Sequence, residues 1–171
     1  MKKIILLFFL INIFNFSFAE EKILYLDVNY LLTESKVGKN INIELQKINN
    51  NNIEEFKKIE KTIKNEEDNL VKQKNILKEE QYGLKISELK NKYNSYQEFK
   101  NKKNNELKNL RDNAGNKVLK IINDILAKYA NENNISLILE KKNVVIGKTE
   151  LDISKEILKI LNNEIRYIEL K

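Results

Sequence analysis

The feature that most restricts the fold is a long stretch, residues 39–131, that contains almost no helix breaker. The 171-residue chain has no Pro and four Gly, and this stretch holds two of them, Gly83 and Gly115. Pro ends a helix and Gly weakens one, so a segment this poor in both can form very long helices. Its apolar residues recur at spacings of three, four and seven, which is typical of one helix face. The sequence therefore predicts long helices here.

Two arrangements of this stretch are possible, one straight helix or two helices that fold back on each other. Gly83 lies near the midpoint, whereas the apolar pattern continues through Gly115. We therefore predict an antiparallel hairpin over residues 39–131, with its tip at about residues 79–86 and arms of about 45 residues, each roughly 65 Å long. The alternative for Gly83 is a Gly tolerated inside a helix at a cost of about 1 kcal/mol.

The contact face of the predicted hairpin is partly polar, so it is not a continuous coiled coil. In the second half, Lys100 and Lys103 occupy positions in register with the apolar residues. The run Asn49–Asn52 lowers helix stability by up to about 2–3 kcal/mol relative to Ala. One interpretation of this run is a flexible pivot low on the arm, and the other is a general bias of the chain toward Asn.

Segments with strand character flank the helical stretch. Residues 22–29 alternate as a strand does, and residues 135–146 indicate two short strands joined by a Lys-Lys-Asn turn. From Asp152 the apolar residues have helical spacing as far as Ile168, with Asp152 or Ser154 as the cap. Strands and helices together predict an α+β fold in which a long helical hairpin projects from a small strand-containing body.

The body, residues 20–38 and 132–171, is small. A unit near 60 residues buries a modest fraction of its surface and is marginally stable alone. We therefore expect the strands to complete their core by oligomerisation. The residues predicted to form this oligomer body are Ile23, Tyr25, Leu26, Val28, Leu137, Leu139, Val144 and Ile146.

The N-terminus, residues 1–19, has the layout of a secretory signal peptide. Lys2 and Lys3 precede an apolar run at residues 4–14, and small residues precede a cleavage point that we predict after Ala19. No Cys is present for lipid attachment. A retained membrane anchor is the alternative, but a spanning helix needs about 20 apolar residues. Cleavage implies export, and we predict a periplasmic location.

The composition excludes many catalytic sites. The chain contains no His and no Cys, which removes thiol nucleophiles, disulfides, histidine bases and the usual zinc sites. Carboxylate pairs such as Glu79-Glu80 lie on predicted open arms, where no cleft separates their pKa values. Gly147-Lys148-Thr149 lacks the earlier Gly of a phosphate-binding loop, because position 142 is Lys, and it predicts a turn. We predict no enzyme activity, cofactor or metal site.

Positive charge is concentrated on the returning arm. Residues 85–128 carry 11 Lys or Arg against five Asp or Glu, whereas residues 39–84 carry nine of each sign. Aromatic rings interleaved with Lys can bind unfolded polypeptide, anionic lipid or nucleic acid, and export disfavours nucleic acid. The candidate binding residues are Tyr82, Lys85, Lys90, Lys92, Tyr93, Tyr96, Phe99, Lys100, Lys102 and Lys103. The alternative is a solvated helix whose aromatic side chains pack against the other arm.

The two ends of the mature chain contain recognisable blocks. The first is residues 22–28, KILYLDV, followed by Gly38-Lys39, and the second is residues 135–139, ISLIL, followed by Asp152-Ile153-Ser154. Their order, with an export signal before them and a long helical stretch between them, resembles the Skp/OmpH family of periplasmic chaperones. Ser154 stands where that family usually has Thr. The resemblance ends at about Asn162, and residues 163–171 look like an extension.

The resemblance implies a homotrimer whose strands form a barrel-like body and whose three hairpins surround a cavity. It also implies an ATP-independent holdase that binds unfolded outer-membrane proteins, and contacts between the arms and anionic lipid or lipopolysaccharide. No nucleic acid is expected. The main alternative is a structural coiled coil such as a peripheral-stalk subunit of a rotary ATPase, which lacks the flanking strands. An exported enzyme with an atypical site is a third possibility.

Overall fold

The computed structural model describes residues 21–170, so the predicted signal peptide and its cleavage point lie outside the described residues. The elements in chain order are β1 (Lys22–Leu26), α1 (Val28–Glu34), α2 (Lys36–Gln73), α3 (Glu79–Glu132), β2 (Ile135–Glu140) and α4 (Ser154–Glu164). Short 3-10 turns at Lys141–Asn143 and Thr149–Leu151 connect β2 to α4. This arrangement confirms the predicted α+β fold with a long antiparallel helical hairpin. Within residues 21–170, no helix is both long and apolar enough to span a membrane.

The hairpin is longer on its returning side than we predicted. Helix α2 has 38 residues and α3 has 54, which correspond to about 57 Å and 81 Å. The tip lies at residues 74–78, so the prediction of residues 79–86 is wrong. Gly83 lies inside α3, and a Cβ at that position would meet no heavy atom of the described residues within 4 Å. Gly83 is therefore a tolerated helical Gly.

The chain reverses at the tip without Gly or Pro. The amides of Ile76 and Leu77 both donate to the carbonyl of Gln73 at 3.0 Å, which closes the end of α2. Lys78 then takes an extended conformation, with φ −64° and ψ 147°, and α3 begins. Lys72 in the last turn of α2 and Glu79 in the first turn of α3 each have the charge that the helix dipole favours. In the sequence, the charges of Lys72 and Glu79 marked the position of the tip, and Gly83 did not.

The sheet has two parallel strands, β1 and β2, joined by the entire hairpin. The predicted third strand does not form, because Lys141–Asn143 is a 3-10 turn and residues 144–146 lie outside any strand. The chain instead returns to β1 at Asp152, which forms an isolated bridge with Tyr25. The amide of Ile153 donates to the carbonyl of Tyr25 at 3.0 Å.

Two predicted boundaries are corrected by capping interactions and backbone conformation. Strand β1 ends at Leu26 because Asp27 caps α1, its carboxylate accepting the Tyr30 amide at 2.9 Å. Val28 is therefore helical. Helix α4 ends at Glu164, and Ile165 is extended with φ −144°, so the helical spacing that continues to Ile168 is not a helix there.

The core is shared between the body and the lower turns of both arms. Buried residues of β1 and α4 belong to one cluster with buried residues of the lower turns of α2 and α3. Burying a single Leu or Ile side chain contributes about 1.5–3 kcal/mol. The buried residues of this core are Leu24, Leu26, Leu31, Val37, Ile41, Leu45, Ala114, Val118, Ile122, Ile125, Ile153, Ile157 and Leu161.

A tight elbow joins α1 to α2. Ser35 is fully buried, and its hydroxyl accepts the Gly38 amide at 3.1 Å as the cap of α2. A Cβ on Gly38 would lie 1.9 Å from the carbonyl oxygen of Leu32. Only Gly permits this approach of the two helices, so Gly38 fixes the direction in which the hairpin leaves the body.

Candidate functional site

One face of the sheet is apolar and uncovered. Register places Ile23 beside Leu137 and Tyr25 beside Leu139, and all four side chains share the face opposite the core. Ile23 is 43% exposed, Leu137 48% and Leu139 37%. Parallel strands are normally covered on both faces, and an exposed apolar patch indicates a binding surface. We call these four residues the sheet face.

The remaining four predicted oligomer residues lie elsewhere. Leu26 is buried in the core of its own chain, and Val28, the first residue of α1, packs against that core. Val144 and Ile146 lie in the loop after β2. The prediction placed Val144 and Ile146 in a third strand, and that strand does not form.

The loop after β2 folds against one residue of the sheet face. The Tyr25 hydroxyl donates to the carbonyl of Lys148 at 3.0 Å. A Cβ on Gly147 would lie 2.7 Å from the Tyr25 ring, so the backbone passes close to that ring. The segment Gly147-Lys148-Thr149, predicted as a turn, thus follows β2 as a loop that orients Tyr25.

Two of the predicted binding aromatics hold the arms together instead. The Phe56 ring of α2 makes edge-to-face contacts with Tyr96 at 6.3 Å and Phe99 at 6.1 Å between centroids. Tyr96 is 5% exposed, and its hydroxyl donates to Glu60. Burial and this hydrogen bond raise the pKa of Tyr96. Tyr96 is therefore removed from the candidate binding residues, since it is not accessible to a partner.

Three of the predicted binding lysines also connect the two arms. Lys92 pairs with Glu66 at 2.7 Å, Lys100 with Glu60 at 3.5 Å and Lys103 with Glu55 at 3.9 Å. The Lys100 ammonium also lies 5.7 Å from the Phe56 centroid, and that of Lys103 lies 5.4 Å from the Phe99 centroid, both within cation–π range. For these residues the alternative of packing between the arms describes the structure better.

Four of the other five predicted binding residues face solvent. Tyr93, Lys85, Lys90 and Lys102 are exposed and Tyr82 is half-buried. No ion pair involving Lys85, Lys90 or Lys102 occurs within residues 21–170. These three cations are therefore available to an anionic or polar partner.

Sequence reasoning missed a group of apolar side chains exposed near the tip. Ile76 is 80% exposed and Leu84 62%, and both would favour contact with an apolar partner. Ile76 falls outside the seven-residue spacing of Ile63, Leu70, Leu77 and Leu84, and that offset was a signal in the sequence. We define the distal set as Val71, Ile76, Tyr82, Leu84, Lys85, Ile86, Lys90, Tyr93 and Lys102.

Clefts between the arms could accommodate side chains of a bound polypeptide. The larger, about 520 Å³, is lined by Ile59, Ile63 and Phe99 with a rim that includes Asn91 and Ser95. A second cleft of about 310 Å³ lies nearer the tip. Apolar walls with a polar rim are typical of sites that bind small apolar groups.

A polar pocket of about 280 Å³ in the body has a structural role. Lys141 pairs with Asp152 at 2.7 Å, and the amide of Asp27 donates to the Ser154 hydroxyl at 2.8 Å. Burial raises the pKa of Asp152, but hydrogen bonds from Lys141 and Ser154 outweigh it and lower the pKa. The ionised Asp152 carboxylate therefore holds Lys141, just after β2, close to Ser154, the first residue of α4. Among the described residues, no group of acidic side chains could hold a metal ion.

Comparisons with known proteins agree with this architecture. The family model described as outer membrane protein (OmpH-like) matches residues 22–161. A crystal structure from Caulobacter crescentus, of an OmpH-like protein assigned as an outer membrane chaperone, superposes with a TM-score of 0.79 and 18% identity, covering 88% of this chain and 89% of that one. No curated protein sequence matches. The structural likeness establishes that the two chains share a fold.

Proposed function

Since this chain belongs to the OmpH-like family of outer membrane proteins, we propose that it is an ATP-independent holdase for unfolded outer-membrane proteins. The observation that carries the proposal is the distal set, which combines exposed apolar side chains with lysines that have no ion-pair partner within residues 21–170. Segments of an unfolded membrane β-barrel alternate apolar and polar residues and cannot bury the apolar ones in water. Side chains of both kinds on the arms match that alternation.

Weak contacts suit such a role. A holdase that uses no ATP must release its client when insertion into the membrane becomes more favourable. Several arms acting together raise the effective concentration of binding groups without making any single contact strong. We therefore propose that three hairpins hold one client, and that no catalytic residue is involved.

Trimer formation through the sheet face completes this proposal. The face consists of Ile23, Tyr25, Leu137 and Leu139, and within one chain it leaves the parallel sheet uncovered. Packing against the same face of two further chains would bury it in a barrel-like centre, with the hairpins projecting in one direction. We propose a periplasmic location after cleavage following Ala19, where outer-membrane clients pass.

A substitution pair tests self-association. Leu137→Asp with Leu139→Asp places charges on the sheet face and should convert the trimer into monomers with retained helix content. Light scattering measures the mass, and circular dichroism measures the helix content. Ile76→Asp with Leu84→Asp, which adds the same charge at exposed tip positions, serves as the control and should remain trimeric. A wild-type protein with the mass of one chain would contradict the trimer.

An aggregation assay tests the holdase activity. A urea-unfolded outer-membrane β-barrel protein is diluted with or without residues 20–171, and the soluble fraction is measured by sedimentation. We expect the wild type to keep the client soluble. Loss of client at the rate seen without the protein would overturn the proposal.

Two matched lysine triplets separate client contact from arm stability. Lys85→Gln, Lys90→Gln and Lys102→Gln remove cations without an ion pair in the described chain, and should weaken capture and its salt dependence. Lys92→Gln, Lys100→Gln and Lys103→Gln remove inter-arm pairs instead, and should mainly loosen the hairpin. Equal capture by the first triplet and the wild type would reject the electrostatic part of the proposal.

The same exposed lysines are our proposed contact for anionic lipid or lipopolysaccharide. Binding to vesicles containing anionic lipid, with none to neutral vesicles, is the expected result. The first triplet should lose it. The rival function, a structural peripheral-stalk coiled coil, is disfavoured because that class lacks the two flanking strands seen here.

A further inference from the structure

The residues after α4 form a strap along the base of the outgoing arm. Ile165, Ile168 and Leu170 are partly buried against the core. The strap, residues 165–170, also makes polar contacts to α2: the side-chain amide of Asn40 donates to the Arg166 carbonyl at 2.7 Å, and the nearby Glu44 carboxylate raises the pKa of the Tyr167 phenol. The strap thus has a defined place on the hairpin that the sequence alone did not reveal.

The contacts follow one row of α2. Just before the strap, the side-chain oxygen of Asn162 in α4 accepts the Lys36 amide at 2.7 Å. Lys36, Asn40 and Glu44 are spaced by four residues, so they lie on the same face of the helix. The neighbouring row, one residue on at each step, is Val37, Ile41 and Leu45, which faces the core. The C-terminal segment therefore adds a second line of attachment beside the first.

Both lines of attachment end at the same height. Within the described chain, the buried core includes no residue of α2 beyond Leu45, and the next buried residue is polar, Asn52, followed by Phe56 in the inter-arm cluster. The run Asn49–Asn52 lies in this interval, between the core row and the inter-arm cluster, and its buried side chain, Asn52, is polar. Asn also has a lower helix propensity than most other residues.

The strap lies outside the part of the chain that matches the family model, which ends at residue 161. The strap is therefore not part of the match that identifies the family. A segment that packs on the core and bonds to the arm base can change how the arm moves without changing what the arm binds.

We propose that the C-terminal strap braces the first turns of α2 against the body, so that bending of the outgoing arm begins at Asn49–Asn52 and not at the Ser35 elbow. Without the brace, the attachments that remain below Leu45 in the described chain are the core row and the buried elbow. This inference goes beyond holdase activity, since it concerns arm motion in the protein without a client.

Hydrogen exchange tests the brace in the mature protein without a client. The wild type should exchange slowly over residues 37–45 and faster over residues 49–52. A chain that stops at Glu164 should exchange faster over residues 37–45, by tenfold or more, while residues 118–125 of α3 keep their wild-type rates. Equal rates over residues 37–45 in the two proteins, or uniform slow exchange from 37 to 56, would overturn the proposal.

A single substitution tests the brace without truncation, so general unfolding of the shortened chain does not affect the result. Asn40→Ala removes one hydrogen bond to the strap and should accelerate exchange over residues 37–45 by roughly three- to tenfold. The matched control is Asn42→Ala, at an exposed position two residues along the same helix, which should leave those rates equal or slightly slower, because Ala has the higher helix propensity. Equal exchange rates over residues 37–45 in the two variants would also contradict the brace. The aggregation assay tests the holdase proposal separately, so failure of one proposal can be told from failure of the other.

Discussion

At the scale of single residues, glycines show how an identical residue type has opposite roles. Gly38 approaches the Leu32 carbonyl so closely that a Cβ would lie 1.9 Å from its oxygen, whereas Gly83 has open space around it. Sequence spacing made Gly83 the attractive candidate because it lies midway along the helical stretch. The close approach at Gly38 depends on the fold of α1 onto α2, which no local pattern discloses.

The two glycines predict opposite effects of one substitution. Gly38→Ala should destabilise the protein by about 1–3 kcal/mol, because the added methyl group forces the elbow open. Gly83→Ala should stabilise it by up to about 1 kcal/mol, because Ala favours the helix and meets no neighbour. Urea unfolding of the two variants and the wild type measures both values. A neutral Gly38→Ala would show that the elbow is not rigid.

Tyr129 gives a residue-scale prediction for alkaline pH. Its hydroxyl donates to Glu156 at 2.7 Å across α3 and α4, and burial together with this bond raises its pKa to about 12. An unfolded Tyr has a pKa of about 10, so the folded state holds the proton more tightly. The stability from this group is complete below about pH 10 and is lost as pH rises toward 12.

Absorbance titration of the phenols measures this effect. The wild type should show a late-ionising phenol that Tyr129→Phe lacks, and the variant should lose less stability between pH 10 and 12. A titration curve that differs only in total amplitude, with no change in its late part, would contradict the assignment to Tyr129.

At the scale of elements, the sequence predicted the two long helices but placed their connection wrongly. Helical spacing and the absence of Pro are local properties, so the existence of the hairpin followed from them. The position of the tip depends on which residues pair across the arms, such as Phe56 with Phe99, and that pairing is not local. The strand prediction failed at Val144–Ile146 for a similar reason, since Asp152 rather than these residues returns to β1.

The sequence identified the residue types of the candidate binding residues but not the direction in which their side chains point. Sequence placed Tyr96, Lys100 and Lys103 among basic and aromatic neighbours, and those properties are correct. Whether such side chains face solvent or the other arm depends on the angle between the helices. Lys100 in register with the apolar residues was a partial signal, and the structure places it against Phe56.

Phe56 provides the prediction for the arm as an element. Phe56→Ala should lower the local free energy of unfolding of the arm by about 3–5 kcal/mol, because it removes the centre of the inter-arm cluster. The loss should be local, with faster hydrogen exchange over residues 53–70 and 85–103 and unchanged exchange over residues 118–125. Ile53→Ala, at a partly exposed position on the same helix, is the control and should change little. Uniform acceleration along the chain would show that arm and core unfold as one unit.

At the scale of the whole molecule, the chain combines a buried core with two exposed surfaces that carry apolar side chains. The core joins body and lower arms, the sheet face remains uncovered, and the distal set remains exposed. The proposed trimer covers the first surface, and the proposed client covers the second. Composition is consistent with this division, since a binding protein of this kind needs neither His nor Cys.

The mass of the client complex tests the central claim most directly. Residues 20–171 are mixed with a urea-diluted outer-membrane β-barrel protein, and native mass spectrometry measures the assembly. We expect three chains with one client, and loss of that species when Leu137→Asp and Leu139→Asp are combined. A single chain that carries no client under conditions where the client is kept unfolded would contradict it.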